Sequence, residues 1–518
     1  MRSKFISQLF ILIGFGLFGQ SSDIHVTSKQ KVIGQNLLTQ QDISATEYQF
    51  PKDIYGRYLD STSGNLTLQL RKLKKNEKSY GLRGELIGFN LYSNTVNWSR
   101  KINYTTENVW QNGHLITISK NNKVFYLDDK TGEELWNDKN DLYFADKENE
   151  IGIQYLNNDK NQIQGIDLKS GNVLWQRELS REYGWNETKK LNDSTILIAS
   201  GGLHTLNLKN GKGWDYNTIT GKKDYTETIA KNAAGLVLGA LTGTAIISTG
   251  PNLVRNVASN ILLEGDYIYF ASKEKISKLN TATGEIIWSF TLDETSTSRS
   301  SLTLKDNMVY LINKGYANFG NRIIKFGNPF ILALNSQTGK EEFMTQIDNT
   351  DNFILDYELT NDGLLLLSKD KIIDVSLLNS NNPKEKSFDK SEFGKLRFFR
   401  TNDVFTIKET KMLSLITTDA TKHYIQTDKG LILELNNELE VKNQYNLNDI
   451  FFHYKDYSDY KFFRKGNLEK TVVCDSNNQL MADINLRGHI FVFGDNFYAI
   501  DGESLYAIKI SNFKNSIN

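Results

Sequence analysis

Four tryptophans, Trp98, Trp136, Trp175 and Trp214, stand 38, 39 and 39 residues apart. Each closes the same phrase. A short apolar stretch ends in Asp or Asn, a turn runs to a glycine, and a second stretch opens on apolar residues. The sharpest copies are 127–136 with Gly132, 166–175 with Gly171, and 279–288 with Gly284 and Trp288. A fourth runs from Leu206 through Gly211 to Trp214, and a fifth from Leu334 through Gly339 to Phe343, where Phe replaces Trp. A degraded first copy, 89–98, has Asn94 in place of the glycine, and a closing copy, 500–503, lacks the aromatic. A fixed period near 40 residues marks a repeat architecture. Within it, the glycine supplies a positive φ and the Asx residue a side-chain turn bond.

Forty residues hold four short strands with turns. One such sheet cannot bury both faces alone, whereas a ring of them can, leaving only short edges. The expectation is an all-β chain, a β-propeller of four-stranded blades, eight favoured and seven next. Clear repeats run over 60–345 and degenerate ones over 346–510. The periodic tryptophans read as wedges that pack one sheet on the next. From Trp214 to Trp288 the gap is 74 residues, which is one repeat plus an insertion, or two repeats with one worn away. Residues 24–60 precede the clear repeats and offer an N-terminal strand to close the last sheet.

Lys plus Arg and Asp plus Glu number 61 each, so no basic excess points to a nucleic-acid partner. Arg2 and Lys4 precede an apolar run to Phe18 and small residues follow, the pattern of a secretory signal over 1–22. The mature chain, 23–518, then reads as one propeller domain, exported to the periplasm or outside the cell. No cysteine follows the apolar run, so no lipid anchor is expected. Cys474 is the one cysteine and reads as a buried structural thiol in a strand.

The insertion at about 216–262 departs from the repeat. It is read as helical or mobile. Gly235, Gly239 and Gly243 recur every fourth residue in an uncharged apolar run, which would place small residues on one helix face. Pro251 would start a second helix over 252–263. The plain reading is a helical hairpin packed on one rim, or a loop. The sharper one is a partner-binding element, or peripheral membrane contact through 233–249.

The repeated strand, Thr/Ser-Gly turn and Trp resemble the repeats of the pyrroloquinoline-quinone-like β-propellers over about 60–510. That family includes quinone dehydrogenases, non-catalytic scaffolds and the propeller lipoprotein of outer-membrane β-barrel assembly. Its quinone enzymes need a stacking platform, calcium ligands and a catalytic Asp, and many carry a bridge between adjacent cysteines. No residue here matches those positions, and one cysteine cannot form that bridge. No catalytic, cofactor-binding or metal residue is therefore assigned, and no cofactor is expected. The six histidines lack metal-ligand spacing. Asp128 and Asp167 recur at one position of the unit, which assigns them to turn hydrogen bonds rather than catalysis. The expected function is an exported, non-catalytic scaffold that binds a protein partner in the cell envelope. The alternatives are a quinone-type dehydrogenase or lyase at the central channel, or a glycan- or peptide-binding module.

Overall fold

The computed structural model describes residues 24–513 apart from 76–78, 157–158, 180–184, 201, 219–253, 256–257, 273, 294, 320–321, 348–352, 362, 377–382, 410–413, 467–469 and 487. The architecture is all-β, a β-propeller of antiparallel sheets; among the described residues eight sheets have four strands and three sheets have other strand numbers. The Trp136 repeat shows the plan. Glu107–Asn112, Leu115–Lys120, Lys123–Asp128 and Glu134–Asp138 pair in chain order. The two middle strands bury Ile116, Ile118, Val124 and Tyr126, while the outermost strand carries exposed and half-buried residues. Middle strands are covered on both faces and therefore lose the alternation that the outer strand keeps.

Two compact units divide the chain. The first comprises residues up to Lys31 with Ala45–Asp138 and His489–Lys509. In it, Ile87 and Phe89 pack with Phe491 and Tyr498, and Leu86 and Trp98 pack with Ile116 and Leu127, so each core joins one sheet to the next. The N-terminal strand Asp42–Gln49 completes the sheet of the final hairpins, with Thr46 opposite Ala507 and Tyr48 opposite Leu505. The edge of the last sheet is thereby covered by the start of the chain.

The second unit comprises Val32–Ser44, Lys139–Gly488 and Ile510–Asn518. Its cores repeat the same step. Ile153 and Trp175 pack with Ile196 and Leu206, Leu197 and Tyr216 with Phe270 and Leu279, and Tyr269 and Trp288 with Leu311 and Leu332. Ile312 and Ile331 then pack with Leu364 and Val375, and Leu367 and Ile372 with Ile425 and Leu433. The strand Thr27–Asn36 pairs with Leu480–Ile484, Gly34 opposite Ile484. The aromatic run near 451–463 is a hairpin of Phe451–Tyr457 on Tyr460–Lys465, and Cys474 is buried beside Phe463 and Val472. Burial pushes the Cys474 thiol up to about 12, which makes it unreactive.

Two expectations are corrected. The helix expected over 252–263 is absent from its described residues. Val254–Arg255 and Leu262–Glu264 are strands there, the first paired with Phe319 and Asn318 and the second with Tyr267–Ala271. Ladder bonds, to distant Phe319 and Asn318 for the first strand and to the adjacent strand for the second, override the local signal of Pro251. The remainder of the insertion, with Gly235, Gly239 and Gly243, lies outside the described residues, as does the expected signal over 1–22. Among the described residues, the sheet of Trp214 and the sheet of Trp288 share one core, with no sheet between them. The second correction concerns 395–435, where the sequence offers 395–399, 404–407, 413–416 and 431–435 as four strands of one sheet. Thr406–Glu409 and Ser414–Thr417 instead form a separate hairpin, and His423–Thr427 takes the place beside Leu396–Phe399.

The turn chemistry is uniform. The Asn280 side-chain oxygen accepts the N–H groups of Ala282 and Thr283 at 2.9 and 3.0 Å, and Gly284 N–H bonds Asn280 O at 2.9 Å. Asp128 and Asn335 do the same for Lys130, Thr131, Gln337 and Thr338, and Asp167 does so for Ser170. Gly284 has φ +72°, and a Cβ there would lie 2.5 Å from Trp214 Cδ2. Gly284→Ala is expected to cost about 1–3 kcal/mol, from αL strain plus the displaced ring. A chemical-denaturation midpoint equal to that of the parent chain would refute this.

Candidate functional site

The repeat residues singled out by the sequence form a series of docks. Trp98 Nε1 donates to Asp129 O at 2.9 Å, and the ring covers Gly132. Trp175 donates to Leu208 O at 2.6 Å over Gly211, Trp214 to Thr281 O at 3.1 Å over Gly284, and Trp288 to Ser336 O at 3.0 Å over Gly339. Each indole therefore closes on the turn of the following repeat. Trp136 stacks on Tyr126 at 3.8 Å within its own sheet. Phe343 packs among Tyr310, Ile312 and Ile373, filling the wedge position without an N–H donor. Gly171 closes its turn onto Asp167 O at 2.8 Å. These residues build the sheets' seams and hold no reactive group.

Perturbed titratable groups gather elsewhere in the second unit, where sequence periodicity gives no signal. Arg299 precedes the strand Ser300–Lys305, and Lys314 follows the strand Met308–Asn313. Arg299 N–H bonds Tyr316 O at 2.9 Å, and Lys314 N–H bonds Arg299 O at 2.8 Å, so the two residues sit opposite each other at the open end of the ladder. This end is braced by Ser298 and Asn313. Asn313 Oδ1 accepts from Ser298 N–H at 2.8 Å, and Gly315 N–H donates to Ser298 Oγ at 2.7 Å. Lys314 Nζ lies 5.8 Å from the Tyr357 ring, Arg299 Cζ lies 5.8 Å from the Tyr316 ring, and Phe353 meets Tyr316 edge-on. Burial pulls the Lys314 ammonium down to about 8, Arg299 pushes the same way, and Asp356 opposes.

Asp356 opens the strand Asp356–Leu359. Alternation turns Tyr357 toward the sheet of Lys314 and turns Asp356 and Glu358 toward the next sheet. There Asp356 Oδ2 accepts from Phe399 N–H at 2.9 Å, and Glu358 Oε2 accepts from Thr401 Oγ1 at 2.9 Å and meets His423 Nδ1 at 3.3 Å. Burial raises the Asp356 carboxyl, against the pull of the Phe399 N–H. Among the described residues, no three or more His, Cys, Asp and Glu side chains are placed to hold a metal ion.

The histidines are spread over such local pairs. His204 is buried, with Nδ1 2.7 Å from Asp215, which also pairs with Arg177. His453 pairs with Asp456 at the surface.

Residues 83–260 match a family model described as outer membrane protein assembly factor BamB. No curated protein matches the chain. Among solved structures, BamB from Moraxella catarrhalis is 13% identical with a TM-score of 0.32, covering 89% of this chain and 100% of that chain. The dihydro-heme d1 dehydrogenase NirN is 12% identical with a TM-score of 0.31, covering 73% of each. By its repeats, and by the family match over 83–260, the chain resembles the pyrroloquinoline-quinone-like β-propellers of the BamB kind.

Proposed function

We propose that this chain is a non-catalytic propeller scaffold of the cell envelope, periplasmic in location, and that it binds a protein engaged in outer-membrane protein assembly. The observation that supports this reading is the match of 83–260 to the assembly-factor family. The chemistry of the repeat agrees with it. Where its invariant positions are described, they are spent on turn bonds and indole docks, which leaves loops and edges to carry specificity.

The insertion is the proposed contact element, through Gly235, Gly239 and Gly243. Its described flanks are Asp215–Asn217, the last strand of a four-stranded sheet, and Val254–Arg255, which joins a separate three-stranded sheet with Tyr316–Phe319 and Arg322–Lys325, and the deletion of 219–253 runs between them. Deleting 219–253 is expected to leave the melting temperature within a few degrees of the parent, because loop length costs little closure entropy. Co-purification of envelope proteins should be lost, and Gly239→Leu should reproduce that loss. The measurements are thermal melting and quantitative co-purification from envelope extracts, with outer-membrane protein levels compared in cells with and without the chain. A deletion that melts normally and keeps the same co-purifying proteins would sink the assignment to the insertion. Unchanged outer-membrane protein levels without the chain would sink the assembly role.

A further inference from the structure

We propose that Arg299 and Lys314 form a receptor for a small oxyanion, a carboxylate or phosphate group, walled by Tyr316 and Tyr357. Two half-buried cations sit against each other here, and among the described residues neither has a carboxylate within ion-pair distance. Asp356 acts on the Lys314 ammonium through space without an ion pair, while its Oδ2 accepts from Phe399 N–H at 2.9 Å. Buried charges in proteins are ordinarily paired, and juxtaposed like charges raise the cost further. The arrangement is also rigid. Arg299 and Lys314 are tied to each other and to Tyr316 by backbone bonds, and Ile354 N–H bonds Lys314 O at 3.1 Å.

The chemical class follows from the donors. A guanidinium presents a planar fork that suits carboxylate or phosphate, and an ammonium adds a point charge beside it. The aromatic walls favour an oxyanion carried on a flat or apolar body over a fully hydrated one. The Lys314 ammonium, already pulled down to about 8, would be restored by a bound anion, so binding near pH 8 should take up protons.

The test is calorimetry on the full chain with two probes, inorganic phosphate and benzoate, repeated at pH 8 in buffers of different ionisation enthalpy. Saturable binding with proton uptake is expected. Lys314→Met should weaken it about tenfold or more and abolish the uptake, and Arg299→Met should weaken it comparably. Lys314→Arg keeps the charge and should bind without uptake, which separates lost recognition from lost folding. Tighter benzoate than phosphate would assign a carboxylate on an aromatic body, and the reverse order a phosphate. Absence of saturable binding for both probes, equal affinity in the methionine variants, or uptake that persists in Lys314→Met would each overturn the proposal.

Discussion

Trp175→Ala is expected to lower stability by about 3–5 kcal/mol, the range for truncating a buried large aromatic. Trp175 is 9% exposed and packs with Ile153, Ile196 and Leu206, so its removal opens a cavity between two sheets of the second unit. It also takes the N–H donor from Leu208 O and uncovers Gly211, whose φ is +71°. Trp175→Phe separates these contributions. It keeps much of the wedge and loses the N–H donor with part of the ring volume, so the cost should fall to about 1–2 kcal/mol. Phe343 already fills the equivalent position in a later repeat, which shows that the site accepts that ring. Urea denaturation of the two variants measures both values. A loss below about 1 kcal/mol for the alanine variant would mean that the seam does not depend on the indole.

Acid is expected to weaken the first unit through Glu47. Burial alone would raise this carboxyl. Hydrogen bonds from Tyr506 at 2.8 Å and Ser504 at 2.9 Å, with Lys29 and Lys31 beside it, outweigh that and hold it at about 2, against an ordinary 4.5. A carboxyl depressed in the folded state contributes stability that is complete above its unfolded value and vanishes as pH falls through the folded one. The window is therefore from about pH 4.5 down to about 2. A shift of that size corresponds to about 3 kcal/mol, and the exposed lysine heads screen it toward about 2 kcal/mol. Glu47→Gln should cost that much at pH 7, and the gap to the parent should close as pH falls below 4.5. Denaturation of both chains at several pH values reads it. A gap that stays constant from pH 7 to pH 3 would show that Glu47 is not the group responsible.

The repeat was legible in the sequence because one local phrase does several jobs within ten residues. An Asx residue caps the turn, a glycine takes the positive φ, and the aromatic follows at a fixed distance, as in 279–288. None of these depends on distant partners, so the turn at Asn280 and the strand Ile286–Thr291 could be placed without them. Asp128 and Asp167 could likewise be assigned to turns because they recur in register. Where the phrase is worn, local reading weakened. The hairpin of Thr406–Glu409 and Ser414–Thr417 uses strand-forming residues like its neighbours, and only pairing decides which sheet each segment joins.

The Arg299 and Lys314 pair had no sequence signal at all, since it lies at strand ends outside the repeated phrase, and neither residue type is unusual there. What the sequence by itself determined is the unit: its length, its turn, its wedge and hence the all-β sheets. What the tertiary structure alone decided is which turn each indole closes on, where Val254–Arg255 pairs, and which titratable groups meet. Those outcomes depend on residues far apart in the chain. Trp214 and Thr281 are separated by 67 positions, and Glu47 and Tyr506 by 459. Turn propensity acts over a few residues, whereas a buried carboxylate or an indole N–H is satisfied by whichever donor or acceptor the packed sheets bring beside it.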